Sequence, residues 1–179
     1  ISDKLPVIRN LLPKVDRVIV GGGVANTFLA SQGIDVKNSK VEEEYIDRSG
    51  EMLKNSKGKI ILPTDYVWDE DMILDIGDKS TLQTIQYIKS AKTILWSGVP
   101  GKIEQPPFNK ASIAIAKAIA NSPATSIVGG GDTVGFIDDL GLAHKYSFVS
   151  TGGAALLELV GGRVLPGIRT LGWDKGSRS

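Results

Sequence analysis

The sequence predicts an α/β protein: a three-layer α/β/α domain, Rossmann-like, around a mostly parallel sheet of about six strands. Short runs rich in Ile and Val recur along the chain, and they are continuous rather than alternating in polarity. Helix-like segments separate them. Continuous apolar runs are typical of strands buried on both faces. Strands that alternate with helices favour a parallel sheet with crossover helices.

Six runs are predicted to form the strands. They cover residues 17–20, 59–67, 72–77, 92–96, 125–128 and 146–150. Trp96 ends the fourth run, and we expect its ring to pack in the sheet. His144 precedes the last run, and we expect it at the surface.

Three helices are predicted between the strands, over residues 41–55, 80–91 and 109–122. Ser80 is the expected N-cap of the second helix, and Pro123 ends the third. The apolar positions that define their faces are Val41, Tyr45 and Met52 in the first helix and Leu82, Ile85 and Ile88 in the second.

Composition narrows the possible functions. The 179 residues suggest one domain, and a net charge of +1 gives no case for a basic surface that binds nucleic acid or membrane. Cysteine is absent, which excludes disulfides and thiol chemistry. A single histidine excludes a metal site built from several histidines. We expect a cytoplasmic monomer.

The two ends suggest a domain cut from a longer chain. A helical pattern begins directly at the first residue, Ile1. Residues 172–179 lack apolar periodicity. We therefore expect a folded domain over residues 1–171 and a loose tail over residues 172–179.

Glycine-rich turns follow several of the predicted strands. They are Gly21–Gly23, Ser97-Gly98, Gly129–Gly131 and Thr151–Gly153. Right-handed crossovers bring the carboxyl ends of parallel strands to one edge of the sheet, where open α/β sheets bind ligands. The four turns should therefore meet at one cleft.

These turns predict an anion site. Glycine lets the backbone approach a ligand, and a helix N-terminus offers free N–H groups with a partial positive charge. Asp132 would repel a bare phosphate, but it suits a nucleotide phosphate whose Mg²⁺ lies between them. Alternatively, Asp132-Thr133 forms an ordinary N-cap and the glycines only make turns. The P-loop and GxGxxG motifs are both absent.

Residues 127–168 contain GGGDT, STGG and LPG in that order, and residues 1–33 contain SDK followed by GGGVANTFL. These motifs resemble, in register, the GGGDT, VSTGGGASLE and LPG segment and the SDK and GGGMAFTFL region of one family, the phosphoglycerate kinases. LPTDYV (62–67) and LDIG (74–77) also match in order. The resemblance covers about residues 1–168 and only the C-terminal, nucleotide-binding half of that enzyme, so the N-terminal substrate domain is absent from this sequence.

The resemblance implies a glycolytic phosphotransferase with a carboxyl group as acceptor. The family transfers a phosphoryl group between 1,3-bisphosphoglycerate and Mg-ADP, giving 3-phosphoglycerate and Mg-ATP. The implied ligands are Mg²⁺ and ADP or ATP on this chain, with the phosphoglycerate held by the absent half. This chain alone is expected to bind nucleotide weakly and to be inactive in transfer.

The resemblance also implies individual roles. The adenine would lie against Gly21, Gly22, Gly23 and Leu74, and Glu104 would bond the ribose hydroxyls. The phosphates would meet Ser97, Gly129, Gly130, Gly131, Asp132 and Thr133, with Asp132 as the metal ligand. The catalytic positions would be Lys4, Gly130, Gly152 and Gly153, with Ser150 and Thr151 facing the cleft between the two halves. Lys4 would also belong to the nucleotide site, where it would reach the transferred phosphoryl group.

Some positions depart from the family pattern. Ser97 stands where the family has an asparagine, Lys102 replaces a valine expected against the adenine, and Leu156 replaces a serine. These changes bear on nucleotide affinity and base preference. They leave open a second hypothesis, a non-catalytic nucleotide-binding or interaction module derived from the family.

Overall fold

The computed structural model describes residues 4–152, 154–160 and 162. The helices are α1 (Lys4–Leu11), α2 (Gly22–Ser31), α3 (Ile46–Asn55), α4 (Asp78–Ser90), α5 (Lys110–Ala120), α6 (Gly131–Asp139) and α7 (Ala154–Val160). The strands are β1 (Val18–Ile19), β2 (Ile60–Ile61), β3 (Tyr66–Asp69), β4 (Met72–Ile76), β5 (Thr93–Trp96), β6 (Thr125–Val128) and β7 (Phe148–Val149). Within these residues, every helix is too short or too polar to cross a membrane.

Most of the strand pairing is parallel, which confirms the predicted fold class. β1 pairs with β2, and β6 pairs with both β5 and β7, all in parallel. The described strands form three hydrogen-bonded groups rather than one continuous six-stranded sheet. β7 lies at the edge of its group, where Phe148 is 57% exposed, so burial on both faces does not hold for that strand.

The predicted strand over residues 59–67 is wrong in its second half. β2 ends at Ile61, and β3 begins a new antiparallel hairpin with β4 at Tyr66. Pro63 has no N–H to donate to a strand ladder. Asp65, two residues later, caps helix α4 instead of extending the strand. The Asp65 carboxylate accepts N–H groups from Lys79 at 2.9 Å and Ser80 at 2.8 Å.

This carboxylate also corrects the predicted start of the helix over residues 80–91. Helix α4 begins at Asp78, with Gly77 as its N-cap residue, and its first turn is capped by Asp65 from outside the helix. Ser80 is a buried residue of that turn whose hydroxyl donates to Asp65, so it is not the N-cap. The predicted apolar face is also partly wrong, because Leu82 is 60% exposed.

Two apolar clusters form the core. One joins β5, β6, α5 and α6, and the other joins α1, β1, α2 and β2. Trp96 is buried in the first cluster and stacks on Tyr146 with ring centroids 6.4 Å apart, which confirms its predicted packing. Tyr45 and Met52 pack against the second cluster, and His144 is exposed, as predicted.

Candidate functional site

The glycine-rich loops lie together beyond the carboxyl ends of the strands. Parallel pairing places the ends of β5, β6 and β7 side by side, since Gly129 N–H donates to Trp96 O and Ser150 N–H donates to Val128 O. The loop that follows β1 reaches the same place, because a Cβ atom added to Gly21 would lie 2.8 Å from Cβ of Pro100. The predicted gathering of these turns at one edge is therefore present.

The second and third loops are joined by direct contacts. Gly98 N–H donates to the Thr133 hydroxyl at 2.7 Å, and Thr133 is 1% exposed. Gly130 has a φ of +95°, and a Cβ atom added there would lie 3.1 Å from Oγ of Ser97. These contacts place Ser97 and Gly98 beside the N-terminus of α6.

The backbone at the start of α6 is open to a ligand. Gly131 is exposed, and a Cβ atom added to it would meet no other atom within 4 Å. The N-cap residue is Gly130, which as a glycine has no side chain to cap the helix. The first turn therefore presents N–H groups in the arrangement that binds anions.

Asp132 lies in this first turn, and its side chain is exposed. It is not the N-cap residue that the simpler alternative requires. In the described part of the chain no cluster of three potential metal-binding side chains occurs. Mg²⁺ in nucleotide sites is commonly held by one or two carboxylates together with phosphates and waters. A single exposed carboxylate beside open N–H groups fits that kind of site.

Lys4 approaches the same loops from α1. A Cβ atom added to Gly98 would lie 3.1 Å from Nζ of Lys4, so the ammonium group lies against the backbone of the second loop. The side chain is half-buried. The structure thus brings Lys4 close to Ser97, Gly98 and Thr133. Lys4 is more than 90 positions before each of them in the sequence.

The loop of Gly21–Gly23 forms a second wall. Gly21 contacts Pro100, and a Cβ atom added to Gly23 would lie 3.5 Å from Cδ of Lys40. Asn26, which is 3% exposed, holds this neighbouring segment by donating to the Lys40 carbonyl oxygen at 3.3 Å. Lys40 was not among the predicted site residues.

Leu74 lies in β4 and is linked to the loop of residues 97–104. Its carbonyl oxygen accepts the N–H of Lys102 at 2.8 Å, and its side chain is half-buried. Glu104 is exposed in the turn that follows Lys102. Leu74 and Lys102 are therefore joined at the loop whose Pro100 contacts Gly21, and Glu104 lies two positions after Lys102.

The fourth loop is described as far as Gly152. Ser150 is half-buried, Thr151 and Gly152 are exposed, and Gly152 N–H donates to Oγ of Ser150 at 3.3 Å. Gly153 lies outside the described residues. Gly129 is buried beneath α7, where a Cβ atom on it would overlap Cδ2 of Leu156. Gly129 thus provides close packing rather than an open backbone.

A buried acid lies below the loop of residues 97–104 and was missed in the sequence. Asp75 is 2% exposed, and its carboxylate accepts N–H groups from Ile76 at 2.8 Å and Ala111 at 3.1 Å. Burial raises the pKa of Asp75 to about 6, although these two hydrogen bonds act in the opposite direction. An acid inside the otherwise apolar run MILDI was the signal that could have identified it.

The larger of two described cavities lies elsewhere. It is an open groove of about 460 Å³ lined mainly by apolar side chains, among them Leu29, Ile34, Leu53 and Tyr66. It contains none of the charged or glycine-rich features described above. The glycine loops, not this groove, carry the chemistry of a ligand site.

Comparisons with known proteins agree on one family. The family model described as phosphoglycerate kinase matches residues 1–163. Phosphoglycerate kinases of Clostridium perfringens and Streptococcus pyogenes are 45% and 41% identical to the chain, which is covered to 96% in both cases. The chain spans 48% of each of these relatives, about half their length.

Solved structures give the same result. Phosphoglycerate kinase from Coxiella burnetii has a TM-score of 0.90 at 36% identity, covering 96% of this chain and 50% of that one. Phosphoglycerate kinase from Pyrococcus horikoshii has a TM-score of 0.84 at 28% identity, covering 96% of this chain and 49% of that one.

Proposed function

The chain belongs to the phosphoglycerate kinase family, and on that premise we propose that it is the nucleotide-binding half of such an enzyme. In this proposal residues 1–171 form the C-terminal domain, which binds Mg-ADP or Mg-ATP. A partner domain holds the phosphoglycerate. The phosphoryl group then passes from the acyl phosphate of 1,3-bisphosphoglycerate to the terminal phosphate oxygen of ADP, leaving 3-phosphoglycerate and ATP.

The observation that carries the proposal is the meeting of Lys4, Gly98 and the start of α6. The Lys4 ammonium group lies against Gly98, whose N–H donates to Thr133 in the first turn of α6, and Gly131 of the same turn is unobstructed. Phosphoryl transfer depends on positioning and on neutralising negative charge rather than on covalent catalysis by the protein. A cation and a helix N-terminus are suited to that task.

Each residue of the site has a defined part. The N–H groups of Gly131 and its neighbours hold the terminal phosphate of the nucleotide, and Lys4 offsets the charge of the phosphoryl group in transfer. Asp132 would hold Mg²⁺, which neutralises phosphate charge when bound. Gly21, Gly22, Gly23 and Leu74 provide the wall for the base, and Glu104 bonds the ribose.

Transfer needs a second domain. The reaction requires two bound substrates in a closed cleft from which water is excluded. The described residues supply one wall of such a cleft, so the chain alone should bind nucleotide without turning over. Ser150, Thr151, Gly152 and Gly153 are the residues proposed to face the second domain.

A second candidate is a non-catalytic nucleotide-binding module derived from the same family. Ser97 at the α6 N-terminus and exposed Lys102 beside Leu74 favour it, since each departs from the pattern expected of an active site. Both candidates require nucleotide binding, and they differ in transfer.

Two experiments test these proposals. Isothermal titration of the 179-residue chain with ADP, with and without Mg²⁺, should give weak saturable binding that strengthens with the metal. Adding the N-terminal domain of a phosphoglycerate kinase in trans should produce ATP from 1,3-bisphosphoglycerate if the chain is a catalytic half. Binding without any turnover would instead favour the non-catalytic module, and no binding at all would refute both.

A further inference from the structure

Asp75 is a buried acid that the proposed chemistry does not use. Its two oxygens have separate partners, since Oδ1 accepts the N–H of Ile76 and Oδ2 accepts the N–H of Ala111 in the first turn of α5. An asparagine at this position would offer only one acceptor oxygen. The carboxylate is therefore the side chain that satisfies both buried donors.

Asp75 also contacts the loop of residues 97–104 directly. A Cβ atom added to Gly101 would lie 2.5 Å from Cγ of Asp75 and would overlap the carbonyl oxygen of Phe108. The loop backbone can approach the carboxylate this closely because position 101 is glycine. Gly101 is thus enclosed between β4 and the start of α5.

The contact extends to both walls of the nucleotide site. Pro100, one residue before Gly101, packs against Gly21 of the first loop. Lys102, one residue after it, donates its N–H to Leu74 O at 2.8 Å. A shift of Gly101 would therefore move the loop relative to Gly21 and Leu74 together.

We propose that Asp75 is a positioning residue for nucleotide binding, which fixes Gly101 and the start of α5 so that Gly21 and Leu74 keep the spacing that a base requires. This inference rests on the proposed function, because Gly21 and Leu74 are the proposed base wall. Asp75 itself does not touch the nucleotide. It acts through Gly101, Pro100 and Lys102.

Asp65 provides a matched control. Its carboxylate also accepts two backbone N–H groups, those of Lys79 and Ser80 in the first turn of α4. Asp75 accepts one from a helix, that of Ala111, and one from its own strand, that of Ile76. Asp65→Asn and Asp75→Asn thus each remove one carboxylate oxygen that accepts a backbone N–H group. The hydrogen bonds of Asp65 do not involve residues 97–104, so its loss should leave the base wall in place.

The test compares both variants of the 179-residue chain by calorimetric titration with Mg-ADP and by amide hydrogen exchange. Asp75→Asn should weaken Mg-ADP binding about tenfold, because a displaced Gly101 no longer holds Gly21 and Leu74 at the spacing the base requires, and should speed exchange of the Lys102 amide. Asp65→Asn should change the affinity less than twofold and leave that amide unchanged. Equal losses of affinity in the two variants would show that Asp75 is merely structural and would overturn the inference.

A second variant covers the case in which Asp75→Asn does not fold. Gly101→Ala disturbs the same contact from the loop, since its Cβ would overlap both Asp75 and the Phe108 carbonyl oxygen, and should weaken Mg-ADP binding at least as much. An unchanged affinity would overturn the inference. Failure of the unmodified chain to bind Mg-ADP refutes the proposed function instead, whereas unchanged Lys102 exchange in a folded Asp75→Asn refutes the role of Asp75.

Discussion

The indole N–H of Trp96 donates a hydrogen bond of 2.9 Å to the carbonyl oxygen of Gly98. Trp96 also stacks on Tyr146, whose hydroxyl donates to the Ala116 carbonyl oxygen at 2.9 Å. The loop that carries Ser97 and Gly98 is thus connected through one aromatic ring to the interior of the domain. Core packing and the geometry of the candidate site are coupled at this residue.

Trp96→Phe should therefore affect both stability and binding. Phenylalanine leaves part of the space unfilled and cannot donate to Gly98, so the free energy of unfolding should fall by about 2 kcal/mol. Mg-ADP binding should weaken because Gly98 loses one of its supports. Urea unfolding followed by circular dichroism and calorimetric titration measure the two effects.

Trp68→Phe is the matched control, since Trp68 lies half-buried in the β3–β4 hairpin and contacts Tyr66 and Lys37. It should leave nucleotide affinity unchanged. Equal affinities for the unmodified chain and Trp96→Phe would mean that the hydrogen bond to Gly98 does not shape the site.

Asp132→Ala should separate a metal ligand from a structural cap. Because Asp132 is exposed and Gly130 is the N-cap residue, folding should change by less than about 1 kcal/mol, the usual effect of a charge near a helix end. Binding of ADP should lose most of its dependence on Mg²⁺. Titrations at several Mg²⁺ concentrations, together with urea unfolding, measure both properties.

Asp138 is the appropriate control for this variant. It is also an exposed aspartate of α6, but it lies in the last turn of the helix, away from the loops. Asp138→Ala should keep the full Mg²⁺ dependence. If Asp132→Ala lost much of its stability while ADP binding kept its Mg²⁺ dependence, Asp132 would be a structural residue rather than a metal ligand.

Much of the fold and the location of the site could be predicted from the sequence. Apolar runs such as TILW and TSIV predicted buried parallel strands, and the parallel rule predicted that the loops after them would meet. The contact of Gly98 with Thr133 agrees with that reasoning, because it joins the loops that follow β5 and β6.

The sequence-based predictions that failed concern features set by single contacts between residues far apart in the chain. Serine is a residue type that often forms an N-cap, which is why Ser80 was predicted as one. The cap is instead supplied by Asp65, 15 residues upstream. The break at Pro63 is followed by this residue and by the β3–β4 hairpin. Asp75 was missed because an acid within an apolar strand contributes nothing to periodicity, and its partner Ala111 lies 36 residues away.

The two neighbouring glycines at the start of α6 should respond differently to alanine. Gly130 has a φ of +95° and little free space, so Gly130→Ala should cost about 1–3 kcal/mol of unfolding free energy. Gly131 is helical and unobstructed, so Gly131→Ala should leave stability unchanged or raise it by up to about 1 kcal/mol. The added methyl group would nevertheless enter the open space beside the N–H groups proposed to bind the phosphate.

Gly131→Ala should therefore be a stable variant that binds Mg-ADP less well. Urea unfolding measures the stability of this variant, and calorimetric titration measures its affinity for Mg-ADP. If Gly131→Ala kept its full affinity, the N–H groups at the start of α6 could not be the phosphate site, whatever the effect of Gly130→Ala.

The raised pKa of Asp75 predicts a pH dependence of unusual sign for an aspartate. Burial raises this pKa from 3.8 to about 6, so the native state holds the proton more tightly than the unfolded state does. The stability contributed by the protonated group is fully present below pH 3.8 and is lost as the pH rises through about 6. Charged residues on the elements around Asp75 include Asp69, Asp78, Lys102, Glu104, Lys110 and Lys117; Asp69 is half-buried and the other five are exposed.

Asp75→Asn isolates this contribution, because asparagine does not titrate and the other acids are common to both proteins. Asp65, whose pKa is lowered because hydrogen bonds from Ser80 and Lys79 outweigh its burial, acts with the opposite sign and cancels in the comparison. The free energy of unfolding of the unmodified chain, relative to Asp75→Asn, should fall by about 2 kcal/mol between about pH 4.5 and about pH 7.5. Urea unfolding of both proteins across this range measures the difference. The difference in unfolding free energy could instead stay constant with pH, or grow in favour of the unmodified chain. Either result would mean that the hydrogen bonds from Ile76 and Ala111 to Asp75 outweigh the effect of its burial.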